Sequence, residues 1–263
     1  MTNVIVSLTT IPERLSNTHY GEEGIYSCIM SLCEQNYDDF EIHFNIPRTY
    51  KLHNTEYTIP EWLTSLDKVK IFRVEDEGPV TKILPTIRRI TNDDTILIIV
   101  DDDQRYHPDM IKEHVRNQEL YKNCAIGYDA LDVVDGPIFS DIRDHFVSMI
   151  PTPTRVRVLQ HYKSVSYKRG FFTEELFTDF VGKTMSDDVL LSAYLASKDI
   201  HKLVVPYEND PTYNSIEEWG TLVGNSFPVT GRIAHDPGQG CGDPLHIRFY
   251  VPPEFEQLGY MNR

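Results

Sequence analysis

Apolar residues switch between two spacings along the first half of this chain. Residues 3–8 form a short β-branched run that predicts a buried parallel strand. Pro12 breaks the pattern, so residues 9–14 read as a loop at the C-terminal end of that strand. Over residues 24–35, Ile25, Cys28, Ile29 and Leu32 recur at helical spacing. Residues 40–46 predict a second strand, closed by Pro47, and residues 69–74 a third. A turn cluster, Glu75-Asp76-Glu77-Gly78-Pro79, follows. A helix is expected over about 80–90, with Ile83, Leu84, Ile87 and Ile90 on one face. Residues 95–100 are the most apolar run and predict a central strand, which ends abruptly in Asp101-Asp102-Asp103. Pro108 suits the first turn of a helix reaching about Leu120.

This alternation predicts the α/β class: an open, mostly parallel, Rossmann-like sheet with helices on both faces. Ligands of such sheets bind beyond the C-terminal strand ends. The loops after Leu8, Val74 and Val100 all fall at that edge. The second half is less regular. Strands are expected over 146–150 and 155–167, a helix over 187–197 with Ser186 as N-cap, and a short strand over 203–206. Beyond Tyr207 the chain is rich in Pro, Gly and Asn and reads as an irregular, surface-wrapping segment. No repeat or low-complexity linker divides residues 1–263, so a single domain is expected.

Charge narrows the partners. Lys and Arg total 25 against 40 Asp and Glu, a net charge of −15, which argues against nucleic acid and against an anionic membrane surface. The hydrophobic share of 40% is that of an ordinary globular chain. No apolar run is long enough to span a bilayer, and Met1-Thr2-Asn3-Val4 lacks a basic n-region. Cys28, Cys33, Cys124 and Cys241 form no CxxC pair, which fits free thiols in a reducing, cytoplasmic setting.

The acids are not evenly spread. Three consecutive carboxylates at the end of a buried strand repel one another, and a hard divalent cation, Mg²⁺ or Mn²⁺, would remove that cost. Asp187-Asp188 forms a second acidic pair, at the start of a predicted helix.

The run Ile-Leu-Ile-Ile-Val followed by three Asp resembles the DxD motif of GT-A glycosyltransferases. Three further segments agree in order. Residues 4–14 resemble the opening "SLTTIPxR" strand and loop of a GT-A group seen in bacteria and large DNA viruses. Residues 31–42 are similar to the "SLxxQxYxxxEI" stretch of family-2-like enzymes, and residues 75–82 to the "EDxGPxTK" loop.

The resemblance implies a GT-A domain over 1–263, with a nucleotide-binding half at about 1–120. An acceptor half and C-terminal tail would take up about 121–263. It implies transfer of a sugar from a nucleotide-diphosphate sugar, a UDP-sugar by analogy, to a carbohydrate or glycoprotein acceptor. Asp101 and Asp103 would hold the metal, with His235 as a third ligand in competition with His201 and His246. Asp102 would sit near the ribose or donor sugar. Thr9, Pro12 and Arg14 would line the nucleoside loop, Asp76 would meet the base or ribose, and Lys82 the diphosphate. Asp187-Asp188 resembles the "ED" pair of inverting enzymes, with Asp188 as the general base. Lys168-Arg169-Gly170 resembles an acceptor-side loop that holds donor phosphates or acceptor. Tyr213, Trp219, Phe249 and Tyr250 are aromatic but read as packing residues.

Two rival readings stand beside this one. A nucleotidyltransferase or phosphohydrolase also places acids at strand ends, but residues 9–14 hold no glycine for a phosphate loop. A non-catalytic carbohydrate-binding scaffold has no need of both acidic clusters.

Overall fold

A computed structural model of the protein describes residues 4–16, 25–133, 142–144, 152–183 and 186–206. The first half runs β1 (Val4–Leu8), α1 (Pro12–Ser16), α2 (Ile25–Cys33), β2 (Phe40–Pro47), a hairpin of β3 (Thr49–Tyr50) and β4 (Thr55–Glu56), α3 (Glu61–Thr64), β5 (Val69–Val74), α4 (Leu84–Arg89), β6 (Ile96–Ile99) and α5 (Met110–Leu120). Then come β7 (Cys124–Gly127), β8 (Ala130–Val133), β9 (Ile142–Asp144), β10 (Thr154–Arg155), β11 (Val158–Leu159), β12 (Val165–Lys168), α6 (Asp187–Ser197) and β13 (His201–Val204).

Among the described residues, eight strands make one sheet, in the order β10-β13-β7-β12-β6-β1-β2-β5. The strands β5, β2, β1 and β6 are parallel neighbours. Strand β12 runs antiparallel between β6 and β7, with Val165 opposite Ile99 and Lys168 opposite Ile96. Strands β7 and β13 are again parallel to each other, and β10 closes the edge antiparallel. A separate three-stranded sheet joins β11, β8 and β9. The α/β class expected from the sequence is therefore the class observed: a mostly parallel mixed sheet.

Side chains on β1 and β6 alternate between two cores, as a pleated strand requires. Val4, Val6 and Leu8 join Ile96, Ile98 and Val100 on one face, packed with Ile25, Ile29 and Leu32 of α2 and Met110 and Ile111 of α5. Ile5, Leu97 and Ile99 face the other way, against Leu84 and Ile87 of α4 and Leu190, Leu191 and Tyr194 of α6. Helix α6 is buried along ten of its eleven residues, so it carries no polar face and sits as a core element.

Three elements differ from expectation. The helix expected over 80–90 splits into a 3₁₀ turn, Gly78–Lys82, and α4. Pro85 explains the split: it has no N–H for a continuous helix but suits the first turn of a new one. Gly78, at φ 73°, takes the left-handed turn that precedes it. The strand expected over 155–167 is three short strands, because β10 pairs in the main sheet while β11 pairs with β8. A 3₁₀ turn, His161–Lys163, then leads to Ser164 at φ 77° and into β12. The strand expected over 203–206 lies at 201–204, in register with β7. The strand expected over 146–150 lies outside the described residues.

Candidate active site at the carboxyl edge of the sheet

The loops after β1, β5 and β6 open at one edge of the sheet. Because β12 is antiparallel, the turn that precedes it opens there too. The N-terminus of α6 completes the edge, where the Ser186 hydroxyl accepts from the Val189 N–H at 3.3 Å.

Asp101, Asp102 and Asp103 come together there with Arg14, Lys82, Asp187 and Asp188. Asp102 is buried: Thr10 Oγ1 donates to its Oδ2 at 2.5 Å, and Arg14 pairs with its Oδ1. Arg14 Nη2 also reaches Asp103 Oδ2 at 3.2 Å. Asp102 thus ties the first loop to the third. The carboxylates of Asp101 and Asp103 retain 27% and 21% of their exposure, against 9% for Asp102, so the outer two face the open edge. Burial pushes the Asp103 carboxyl up to about 6, with Asp102 and Asp101 adding to the rise and Arg14 opposing it.

Lys82 joins the two acidic clusters. Its Nζ lies 2.5 Å from Asp101 Oδ1 and 2.8 Å from Asp187 Oδ2. Burial opposes the ammonium, but Asp101, Asp187 and Asp188 outweigh it and hold its pKa above the ordinary lysine value. A polar web under the sheet fixes its backbone: Ser7 Oγ donates to the Lys82 carbonyl at 2.5 Å, and Asn45 Nδ2 reaches the same carbonyl at 3.3 Å. Thr86 and Arg89 complete that web.

Sequence reasoning missed His161. Its Nδ1 lies 2.7 Å from Asp187 Oδ2 and 2.6 Å from Asp188 Oδ1, and its backbone N–H donates to the same Asp188 oxygen at 3.0 Å. Its Nε2 meets the Tyr167 hydroxyl at 2.7 Å. No motif announces this histidine; only the reversed direction of β12 brings it to the edge. Burial disfavours the imidazolium, but the hydrogen bonds and charges of Asp187 and Asp188 prevail and raise its pKa to about 9. Burial would push Asp187 up; Lys82 and His161 overcome it and hold that carboxyl well below the usual range. Thr10 was missed as well, and so was Tyr106. The Tyr106 hydroxyl accepts from the Asp101 N–H at 2.9 Å and lies 3.2 Å from the Tyr162 carbonyl.

These shifts set a pH dependence of folding. A group raised from 6.5 to about 9 contributes fully below pH 6.5 and loses its contribution as pH climbs through 9. Asp187, being depressed, acts in the opposite sense: its contribution is present above the unfolded carboxylate value and is lost as pH falls below it. Urea unfolding is therefore expected to show a loss on the order of 2–3 kcal/mol between pH 6.5 and 9. Substitution of His161 is expected to flatten that limb.

The other sequence-derived residues fall as follows. Thr9 Oγ1 donates to the Asn45 carbonyl at 2.7 Å, joining the ends of β1 and β2. Pro12 opens α1. Both oxygens of Asp76 accept backbone N–H groups, from Lys51 at 2.8 Å and Gly78 at 2.9 Å, so this acid shapes the loop after β5. Lys168, Arg169 and Gly170 lie at the opposite edge of the sheet, a correction to their expected place beside donor or acceptor. Lys168 pairs with Ile96, the first residue of β6, and the Arg169 guanidinium binds the carbonyls of Ile90 and Phe172. Gly170 is needed there for packing, since a Cβ would come within 2.9 Å of Asp93. His201 also starts its strand at that far edge, beside Arg155, and does not join the carboxylates. His235 and His246 lie outside the described residues, as do Tyr213, Trp219, Phe249 and Tyr250.

A divalent cation fits the donor set at one of the two clusters. Asp187 and Asp188 face a protonated His161 and share Lys82 with Asp101, so their charge is nearly balanced. Asp101, Asp102 and Asp103 have Arg14 and the other share of Lys82, so most of the surplus negative charge of the five carboxylates lies with them. Hard carboxylate oxygens with that surplus suit Mg²⁺ or Mn²⁺. No helix among the described residues is long and apolar enough to cross a membrane.

No protein-family model matches the chain. No curated protein matches it. Among solved structures it is similar to S. aureus TarS 1-349 in complex with UDP-GlcNAc, with a TM-score of 0.48 and 13% identity over 78% of this chain and 56% of that one. A further structure of TarS 1-349 gives a TM-score of 0.47 at 12% identity, and its complex with UDP gives 0.47 at 13%. Each of these two covers 78% of this chain and 58% of the other. This chain therefore spans under two thirds of the length of the structures it resembles.

Proposed function

We propose that this chain is a divalent-cation-dependent glycosyltransferase that moves a sugar from a nucleotide-diphosphate donor, a UDP-sugar by preference, to a glycan hydroxyl. One observation carries the reading. Two acidic clusters more than eighty residues apart in sequence meet at the carboxyl edge of the sheet, joined by the Lys82 ammonium. One cluster keeps most of the surplus negative charge and faces the open edge; the other is nearly neutralised by His161 and its share of Lys82. That division suits a cation and diphosphate site beside a proton-accepting site.

Asp101 and Asp103 would hold the cation, which when bound supplies charge stabilisation for the departing diphosphate. The chain's own groups do the rest. Arg14 keeps the first loop closed on Asp102. Lys82 offers a second positive charge between donor and acceptor. Asp188 takes the proton of the acceptor hydroxyl as its oxygen bonds to the anomeric carbon and the bond to the diphosphate breaks.

A thermal-shift panel of UDP-, GDP- and CMP-sugars, with and without Mn²⁺, tests this. A cognate nucleotide a hundredfold above its Kd is expected to raise Tm by roughly 5–10 °C, and only with the cation present. Stabilisation by no nucleotide would remove the reading. Preference for a nucleoside triphosphate, with release of pyrophosphate, would replace it with nucleotidyl transfer.

A further inference from the structure

We propose that His161 is a positioning residue, which pins one oxygen of Asp188 and leaves the other to take the acceptor proton. The inference rests on the role proposed above for Asp188. The geometry is specific: the backbone N–H of His161 donates to Asp188 Oδ1 at 3.0 Å, and its ring Nδ1 stands 2.6 Å from the same oxygen as an ion-pair contact. The same ring nitrogen sits 2.7 Å from Asp187 Oδ2, so the imidazole wedges between both acids. The Tyr167 hydroxyl, 2.7 Å from Nε2, fixes the ring plane from β12. His161 is 1% exposed, so the contact is shielded from competing water.

Among the described residues, charge faces the ring from α6 and from the turn that carries Lys82. Asp187 and Asp188 face it from α6, and Lys82 stands behind Asp187 at 2.8 Å with Asp101 beyond. Tyr167 faces it from β12, and Lys163 of its own turn lies over the Tyr162 ring. His161, Asp187 and Asp188 also bring their ligand atoms within 4.8 Å of one another, close enough for a metal ion. The balance of two carboxylates against Lys82 and an imidazolium favours a proton at that place instead. A carboxylate held by one oxygen cannot rotate away from an incoming hydroxyl, and misplacement of a reacting group is costly.

The test uses the intact chain. ¹⁵N NMR of the histidine rings is expected to show both His161 nitrogens protonated up to about pH 8. H161Q is expected to lower kcat about tenfold to a hundredfold while nucleotide affinity and donor KM stay within about twofold. Y167F, which keeps the ring but frees its plane, is expected to lose less, in the same sense, and carries the kinetic arm should H161Q not fold. A ring that titrates near 6.5, or that gives up its Nδ1 proton to one equivalent of diamagnetic Zn²⁺, overturns the inference. So does wild-type kcat in H161Q, or parallel loss of donor affinity and turnover. If the wild type turns over no nucleotide sugar, the proposed function falls, and the ring titration still decides the state of His161.

Discussion

Asp188→Asn is expected to cut sugar transfer by about 10²–10⁴-fold while nucleotide and cation binding stay near wild type. The substitution preserves shape. An amide oxygen at Oδ1 still accepts from the His161 backbone N–H, which lies 3.0 Å from that position. What it cannot do is take a proton. Among the groups assigned to donor and cation, Arg14 pairs with Asp103 and Asp101 pairs with Lys82. Initial rates of transfer beside calorimetric titration of the nucleotide measure the two properties separately. A raised donor KM with unchanged kcat would show that Asp188 binds substrate and does not accept its proton.

The second large effect is on stability. Lys82→Met is expected to cost about 3 kcal/mol in urea unfolding, at the low end for a broken buried pair because Asp101 is partly exposed. Methionine fills much of the same volume, so the loss reports charge and not a cavity. Asp101 and Asp187 would then face each other with no ammonium between them. Added Mg²⁺ or Mn²⁺ is expected to recover part of the loss in the variant and to do less in the wild type, since both cations answer the same surplus. A variant as stable as the wild type, with or without metal, would show that the ammonium balances nothing.

Much of this edge was legible in the sequence. The strands at β1, β2, β5 and β6 are short, β-branched and bounded by Pro or acidic turns, and local pattern is strong enough to place them. Helix α6 was placed to the residue, because Ser186 caps it and residues 189–196 are apolar but for Ser192. Asp101, Asp103, Lys82, Arg14 and Asp188 were named as candidates from their places after those elements, and the fold brings them together. Strand direction was not legible. Period-two alternation is the same read forwards or backwards, so β12 could not be known as antiparallel. That one reversal moved Lys168-Arg169-Gly170 away from the edge and brought His161 to it. Charge compensation was also hidden. The three consecutive Asp suggested strain in the absence of metal, whereas Arg14 and Lys82, 87 and 19 residues from Asp101, offset much of it in space.

The reversal of β12 also bears on how the molecule is made. Strand β6, the most apolar of the sheet, finds one neighbour in β1 and the other only in residues 165–168. A nascent chain that has emitted β1 to β6 therefore carries an open hydrophobic strand edge until some seventy further residues have left the ribosome. Such edges template misassociation, and closing them through distant contacts is slow. The strand that delivers His161 to the acids is thus also the one that seals the sheet, so the proposed catalytic edge and protection from aggregation mature in the same folding step.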